Sequence, residues 1–180
     1  MAESPLQIDI VASAAMSHDL RRELLSLCSR AYGEDFAPYL AVLSPAVHLL
    51  GFDDGHLVSH AAWMERELRI DGIGRLRTAY VEAVATLPAH QRRGHASALM
   101  KRIPRLVADF SLAALSPSNE HFYRRLGWEK WQGRLSFQDA SGREIETPDE
   151  QLMIYRLPLT PPSLDPRAKV STDWRPREVW

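Results

Sequence analysis

Tyr80-Val81-Glu82-Ala83-Val84-Ala85-Thr86-Leu87-Pro88-Ala89-His90-Gln91-Arg92-Arg93-Gly94-His95-Ala96 is the stretch that decides how this chain is read. It starts as an apolar strand and breaks at Pro88 into a loop rich in hydrogen-bond donors. From about His95 a period of 3.6 sets in, with Leu99, Ile103, Leu106 and Phe110 on one face. The first amides of a helix have no intrahelical acceptor and carry partial positive charge, so such a start attracts anions. Gly94 lets the backbone approach a phosphate closely, and Arg92 and Arg93 add charge; a pyrophosphate fits this chemistry. The Gly-Lys-Ser/Thr of a Walker loop is absent, as are the three spaced glycines of a dinucleotide fingerprint. Glu82 stands out in the strand. Its neighbours Val81, Ala83, Val84 and Ala85 are apolar, and a carboxylate in such company tends to be dehydrated, with its pKa raised.

Working outward, residues 8–11 predict a first strand. Ser17 caps a helix with Leu20, Leu24, Leu27 and Cys28 on one face, and Gly33 ends it. Residues 34–40 read as a loop or short helix. Residues 47–52 and 57–70 form a hairpin about Asp53-Asp54-Gly55, and a second turn at 71–74 leads into 76–86, giving an antiparallel meander. Downstream, a helix spans about 95–109 with Pro104 as its weak point. A strand at 112–115, a helix at 119–126 and closing strands at 128–137 and 152–157 follow, with 139–149 a polar loop. Residues 158–180 hold five of the twelve prolines and read from composition as an extended tail. The order β-α-α-β-β-β-α-β-α-β-β predicts an α+β domain around a mixed sheet.

A length of 180 residues suits a single domain, 1–180. The net charge of −1 gives no electrostatic case for nucleic acid. Cys28 is the only cysteine, which excludes an internal disulfide, and its apolar stripe makes it a core residue. No basic-then-apolar leader and no membrane-length apolar run is visible, so a cytoplasmic enzyme with no membrane partner is expected. His48, His56, His60, His90, His95 and His121 lack a metal-ligand spacing, and no metal is expected.

Gln91-Arg92-Arg93-Gly94-His95-Ala96 resembles the acyl-CoA signature of GNAT acetyltransferases, Gln/Arg-x-x-Gly-x-Gly/Ala. A second element of that family, a strand, a short helix and a Tyr ahead of Gly-aromatic, appears in Leu115-Ser116…Phe122-Tyr123-Arg124-Arg125-Leu126-Gly127-Trp128. The resemblance implies the GNAT acyl-CoA N-acyltransferase fold, a mixed, mostly antiparallel sheet flanked by helices, with acetyl-CoA as cofactor. It places Val84, Ala85 and Thr86 on pantetheine, and Gln91, Arg92, Arg93, Gly94, His95, Ala96 and Ser97 at the pyrophosphate. Acetyl transfer to an amine needs a base for the amine proton, a donor for the developing oxyanion and an acid for the departing thiolate. Glu82, acting through water, a strand amide near Val84, and Tyr123 could fill those roles. Taken alone, Tyr123 is more often a packing residue.

Over nearly its whole length the chain also looks like an aminoglycoside 2'-N-acetyltransferase. The matching pieces are Gly33-Glu34-Asp35-Phe36, Gly51…Ser59-His60-Ala61-Ala62, Tyr80-Val81-Glu82, Thr147-Pro148-Asp149 and Asp173-Trp174-Arg175…Glu178-Val179-Trp180. The resemblance implies that the tail 158–180 folds back onto the substrate site. Asp35, Glu82, Ala83, Ser116, Glu150 or Asp149, Glu178 and the Trp180 carboxylate would then meet a polyamine sugar, and a homodimer is common among such enzymes. Without the family, Asp35 is a helix or turn cap and Glu178 a solvated residue. The chain departs from the pattern at Ala37-Pro38-Tyr39-Leu40, where the family has a second acid. Fewer carboxylates suit a smaller, less cationic drug such as kasugamycin, which one branch of such enzymes acetylates. The alternatives are a GNAT acting on another small amine or polyamine, and a non-catalytic acyl-CoA sensor.

Overall fold

The computed structural model describes residues 6–176 and 180. Along the chain run β1 (Gln7–Ala12), α1 (His18–Tyr32), α2 (Ala37–Val42), β2 (Val47–Asp53), β3 (His56–Ile70) and β4 (Gly74–Thr86). They are followed by α3 (His95–Leu106), β5 (Leu112–Leu115), α4 (Glu120–Arg124), β6 (Glu129–Lys130), β7 (Leu135–Gln138), β8 (Glu144–Glu146), β9 (Met153–Arg156) and β10 (Val170–Asp173). Short 3-10 turns at Ser13–Ala15 and Pro88–His90 complete the secondary structure of the described residues. None of the described helices is long and apolar enough to cross a membrane. Two compact units divide the chain: residues up to Met64 with Val81–Ile103, and Glu65–Tyr80 with the rest from Pro104.

In the first unit, the Ser17 hydroxyl accepts from Leu20 N and starts α1, which ends at Gly33 with φ of 74°. A left-handed residue there is the usual way to stop a helix, and glycine takes it without strain. Leu24, Leu27 and Cys28 on the buried face of α1 pack with Phe36, Leu40, Leu43, Leu50, Leu57 and Ala85. The strands β1, β2 and β3 pair antiparallel in series. Asp54 and Gly55, both with positive φ (48° and 78°), make the two-residue turn between β2 and β3. That turn matches the right-handed twist of the strands it joins. A register shift between Gly51 and Phe52 then sets His48 opposite Ala62 and Leu50 opposite His60.

In the second unit, the strands follow the order β6-β9-β5-β4-β3-β10-β7-β8. Two of its pairs are parallel, β4 with β5 and β10 with β7. Here four expectations need correction. The proline-rich tail, which composition alone reads as extended with no regular structure, carries a paired strand: Val170–Asp173 is seated between β3 and β7. The single strand expected over 128–137 is interrupted, because Gly133 lies against the tail. A Cβ on Gly133 would sit 1.8 Å from the Ala168 carbonyl oxygen, and the amides of Gln132 and Gly133 both donate to Pro166 O. The polar loop over 139–149 contains a short strand, Glu144–Glu146, paired with β7. The helix predicted to Asp109 stops at Leu106, two residues beyond Pro104.

Candidate active site

The strand β4 changes character at Ala83. Its paired residues with β5 run from Thr78 to Tyr80 and stop there. Ala83 has φ of 52°, a left-handed conformation that costs a residue bearing a Cβ about 1–2 kcal/mol. From this kink onward four successive carbonyls are met by side chains of the first unit. The imidazole of His60 lies 2.7 Å from Ala83 O, and the Tyr32 hydroxyl donates to Val84 O over 3.2 Å. The Ser59 hydroxyl donates to Ala85 O over 3.0 Å, and the Gln91 amide to Thr86 O over 3.3 Å. Each of these four carbonyls thus has a side-chain donor.

The loop that follows has the shape its sequence suggested. Arg92 and Gly94 both take positive φ (62° and 83°), so the chain coils tightly before α3. Residues Gln91 to Gly94 are exposed, and the space where a Gly94 Cβ would lie is open. The bond from Ala98 N to Gly94 O opens the helix, so the amides of His95, Ala96 and Ser97 have no acceptor within it. Helix-start amides without an intrahelical acceptor, an open glycine and the exposed Arg92 suit a diphosphate.

Arg93 is placed differently from the expectation that its guanidinium adds charge at the phosphates. Its Nη1 lies 3.0 Å from Asp53 Oδ2 and 3.1 Å from His90 Nδ1. Asp53 also draws in His90 Nδ1 at 3.4 Å and His95 Nε2 at 4.0 Å. One carboxylate from the end of β2 thus gathers three side chains of the loop. Asp53, His90 and His95 each bring a ligand atom within 4.8 Å of the others. Because Arg93 stands on the same carboxylate oxygen, the arrangement is an ion-paired latch for the loop.

The remaining candidates of the first unit are Glu82, half-buried beside the kink, and Asp35. The Asp35 side chain is exposed and its Oδ1 accepts from Ala37 N over 3.0 Å, the capping role that its sequence context alone suggested. Leu40 belongs to the buried core, while the half-buried Tyr39, stacked on Phe36 at 5.3 Å, is the aromatic surface of the apolar run after Asp35.

In the second unit, Asn119 Oδ1 accepts from Phe122 N and starts the short helix that carries Tyr123. Tyr123 is buried, edge-on to Phe122 and Trp128. Burial pushes its phenol up to about 12, against a smaller lowering by a hydrogen bond with Ser118, so it stays a neutral donor at neutral pH. Ser116 is exposed just after β5. Trp180 is buried and its indole N–H donates to Thr147 Oγ1 over 2.9 Å. Thr147 lines a cavity of about 270 Å³ with Gln132, Arg134, Leu135, Glu146 and Glu150. Asp149 is exposed. Glu178 lies outside the described residues.

A buried polar chain in the first unit escaped the sequence reading. Ser13 Oγ is 3.0 Å from His48 Nε2, His48 Nδ1 is 3.0 Å from His60 Nε2, and His60 Nδ1 reaches Ala83 O. Both rings are almost wholly buried, which pushes their pKa values far below the usual histidine range and keeps them neutral. Each alone reads as a satisfied core histidine.

Residues 15–131 match the family described as an acetyltransferase (GNAT) domain. The chain is 34% identical over 132 residues to an aminoglycoside 2'-N-acetyltransferase of Mycolicibacterium fortuitum, covering 70% of this chain and 67% of that one. Among solved structures it is similar to the GNAT family N-acetyltransferase YhbS of Escherichia coli, a complex with CoA. The TM-score is 0.63 at 15% identity, covering 96% of this chain and 93% of that one. It is also similar to Eis1 of Mycobacterium abscessus, with a TM-score of 0.60 and 26% identity over 72% of this chain. The chain spans only 33% of Eis1. The mixed sheet and its helices are the GNAT fold.

Proposed function

Since the chain belongs to the GNAT acetyltransferase family, we propose that it acetylates the 2'-amino group of an aminoglycoside. When bound, acetyl-CoA supplies an acetyl group activated as a thioester. The cofactor would be held by the strand 84–86, beyond the kink, and by residues 91–97, the exposed loop 91–94 and the first turn of α3. The observation that carries the reading is that kink: a strained Ala83, four carbonyls tied by side chains, and an open helix start immediately after.

In this reading Glu82 takes the proton from the attacking amine through a water, and the Val84 amide faces the developing oxyanion. Tyr123 holds its proton at Oη for the leaving sulfur. The 34% identity to an aminoglycoside 2'-N-acetyltransferase favours a drug as acceptor over another small amine or polyamine. Glu150, which lines the cavity beside Thr147 and Trp180, suits a cationic sugar better than Asp149 does. Asp35, Ser116, Glu178 and the Trp180 carboxylate complete the proposed contacts, with the tail as part of the substrate site. The capped Asp35 and the aromatic face of Tyr39 favour a small, weakly cationic drug, for which kasugamycin is the choice to test.

The test is thiol release from acetyl-CoA with a panel of 2'-amino aminoglycosides including kasugamycin. Release with one class of drug is expected, and Glu82→Gln lowers kcat roughly a hundredfold or more with coenzyme A affinity kept. Turnover of unrelated amines alone would move the acceptor elsewhere, and a fully active Glu82→Gln would remove the base.

A further inference from the structure

We propose that His60 is a positioning residue for acetyl transfer: linked through His48 to Ser13, it clamps the Ala83 carbonyl and so fixes the kink between Glu82 and Val84. The inference rests on the acetyltransferase reading. It begins with hydrogen bookkeeping. Ala83 O can only accept, so the proton of the neutral His60 ring sits on Nδ1 and its Nε2 is bare. His48 must therefore donate from Nδ1 to that bare nitrogen across 3.0 Å, which leaves His48 Nε2 as an acceptor. Ser13 fills it. The Ser13 hydroxyl accepts from Ala46 N and has His48 Nε2 at 3.0 Å, Ala46 O at 3.1 Å and Leu43 O at 3.3 Å within reach of its single hydrogen; the bare His48 nitrogen is the acceptor that the chain leaves to it. One set of tautomers satisfies every link.

The direction of the chain is what gives it meaning. Three polar side chains are held in the interior, none more than 8% exposed, and their donors all point toward one backbone carbonyl. That carbonyl belongs to the residue of β4 that has a left-handed φ without being glycine. A core built only for stability would put apolar groups here, since buried polar groups gain little even when satisfied. The clamp offsets the strain at Ala83, and the residues on either side are the proposed base and the proposed oxyanion donor. Cys28 Sγ, 3.9 Å from the same Nδ1, does not compete, because burial holds it as a thiol.

The test compares two replacements of one ring and reads the ring itself. An asparagine amide falls near the Nδ1 position and can still donate to Ala83 O; a glutamine amide falls near Nε2 and cannot. In the wild-type protein, long-range proton–nitrogen spectra at neutral pH should show both His48 and His60 protonated on Nδ1. Protonation of His60 on Nε2 overturns the proposal. His60→Gln should lower kcat roughly ten- to a hundredfold, through misplacement of groups it does not touch. His60→Asn should restore most of that loss. The amide resonances of Val84 and Ala85, with and without coenzyme A, should shift in His60→Gln and stay near wild type in His60→Asn. That measurement needs no acceptor amine, so a wrong acceptor leaves it intact. Unmoved resonances in a folded His60→Gln, or equal kcat losses in both variants, would show a ring that only fills space.

Discussion

The two units solve the same problem, how to hold an irregular backbone in place, with a different balance of side chain and backbone. The first holds the kinked end of β4 with side chains, His60, Tyr32, Ser59 and Gln91 each meeting one carbonyl. The second holds its tail by backbone pairing as well: β10 pairs with β3 on one side and β7 on the other, Gly133 gives up its Cβ so that Ala168 can lie against it, and side-chain donors from Trp131 and Arg66 reach Ala168 O and Asp173 O. Side-chain ties leave the held strand's own amides to other partners, which suits a strand that must meet a ligand. Backbone pairing uses up both edges of the strand, which suits a segment that must stay put.

The largest effect should come from breaking the backbone solution. Gly133→Ala has no room, since the obstacle is a carbonyl oxygen in the main chain, and it should destabilise by about 3 kcal/mol. Hydrogen exchange should rise in β7, β8 and β10 first, with β1 and β2 still protected. Uniform loss of protection would mean that the two regions do not differ in the way argued.

A smaller effect, over the first pH unit in which it develops, should come from titrating the side-chain solution. His48 and His60 have folded pKa values lowered by burial, for His48 with the charge of Arg21 adding to it. A group depressed in the folded state favours folding above its unfolded pKa and loses that advantage as pH falls. Stability should therefore be flat above about pH 6.5 and fall below it by about 1.4 kcal/mol per pH unit for each ring. Urea unfolding across that range checks it. His60→Asn should halve the slope, and an unchanged slope would locate the acid sensitivity elsewhere.

The smallest effect concerns the kink alone. Ala83→Gly removes the clash of a Cβ in a left-handed conformation and should stabilise by about 1 kcal/mol in urea unfolding. If it destabilises instead, the Ala83 methyl packs in a way that outweighs its strain.

The sequence disclosed the parts of this molecule whose cause is local. The Ser17 cap, the stop at Gly33, the turn at Asp54-Gly55 and the helix start after Gly94 all follow from residue type and spacing over a few positions. What it hid depends on distant partners. Val170–Asp173 is four residues in a proline-rich tail, and its strand character comes from β3 and β7 on either side. The histidine chain was hidden by a single register shift. A regular hairpin about Asp54-Gly55 would set His48 opposite Ala61 and put the rings of His48 and His60 on opposite faces. The shift at Gly51/Phe52 moves the pairing by one residue and, with a side-chain period of two, brings them to the same face. The pairing of Arg93 with Asp53 was hidden for a similar reason: nothing near Arg93 in sequence announces that partner.

The position of β10 also imposes an order of events on a growing chain. The hairpin of β7 and β8 reaches β3 only through β10, and β10 is made more than thirty residues after β7 begins. Until a ribosome has passed Asp173, β7 and β8 wait beside an empty slot, with one edge of β7 open to any other strand. Completion of this sheet thus waits for β10, and β7 is most exposed to mispairing just before that strand is set.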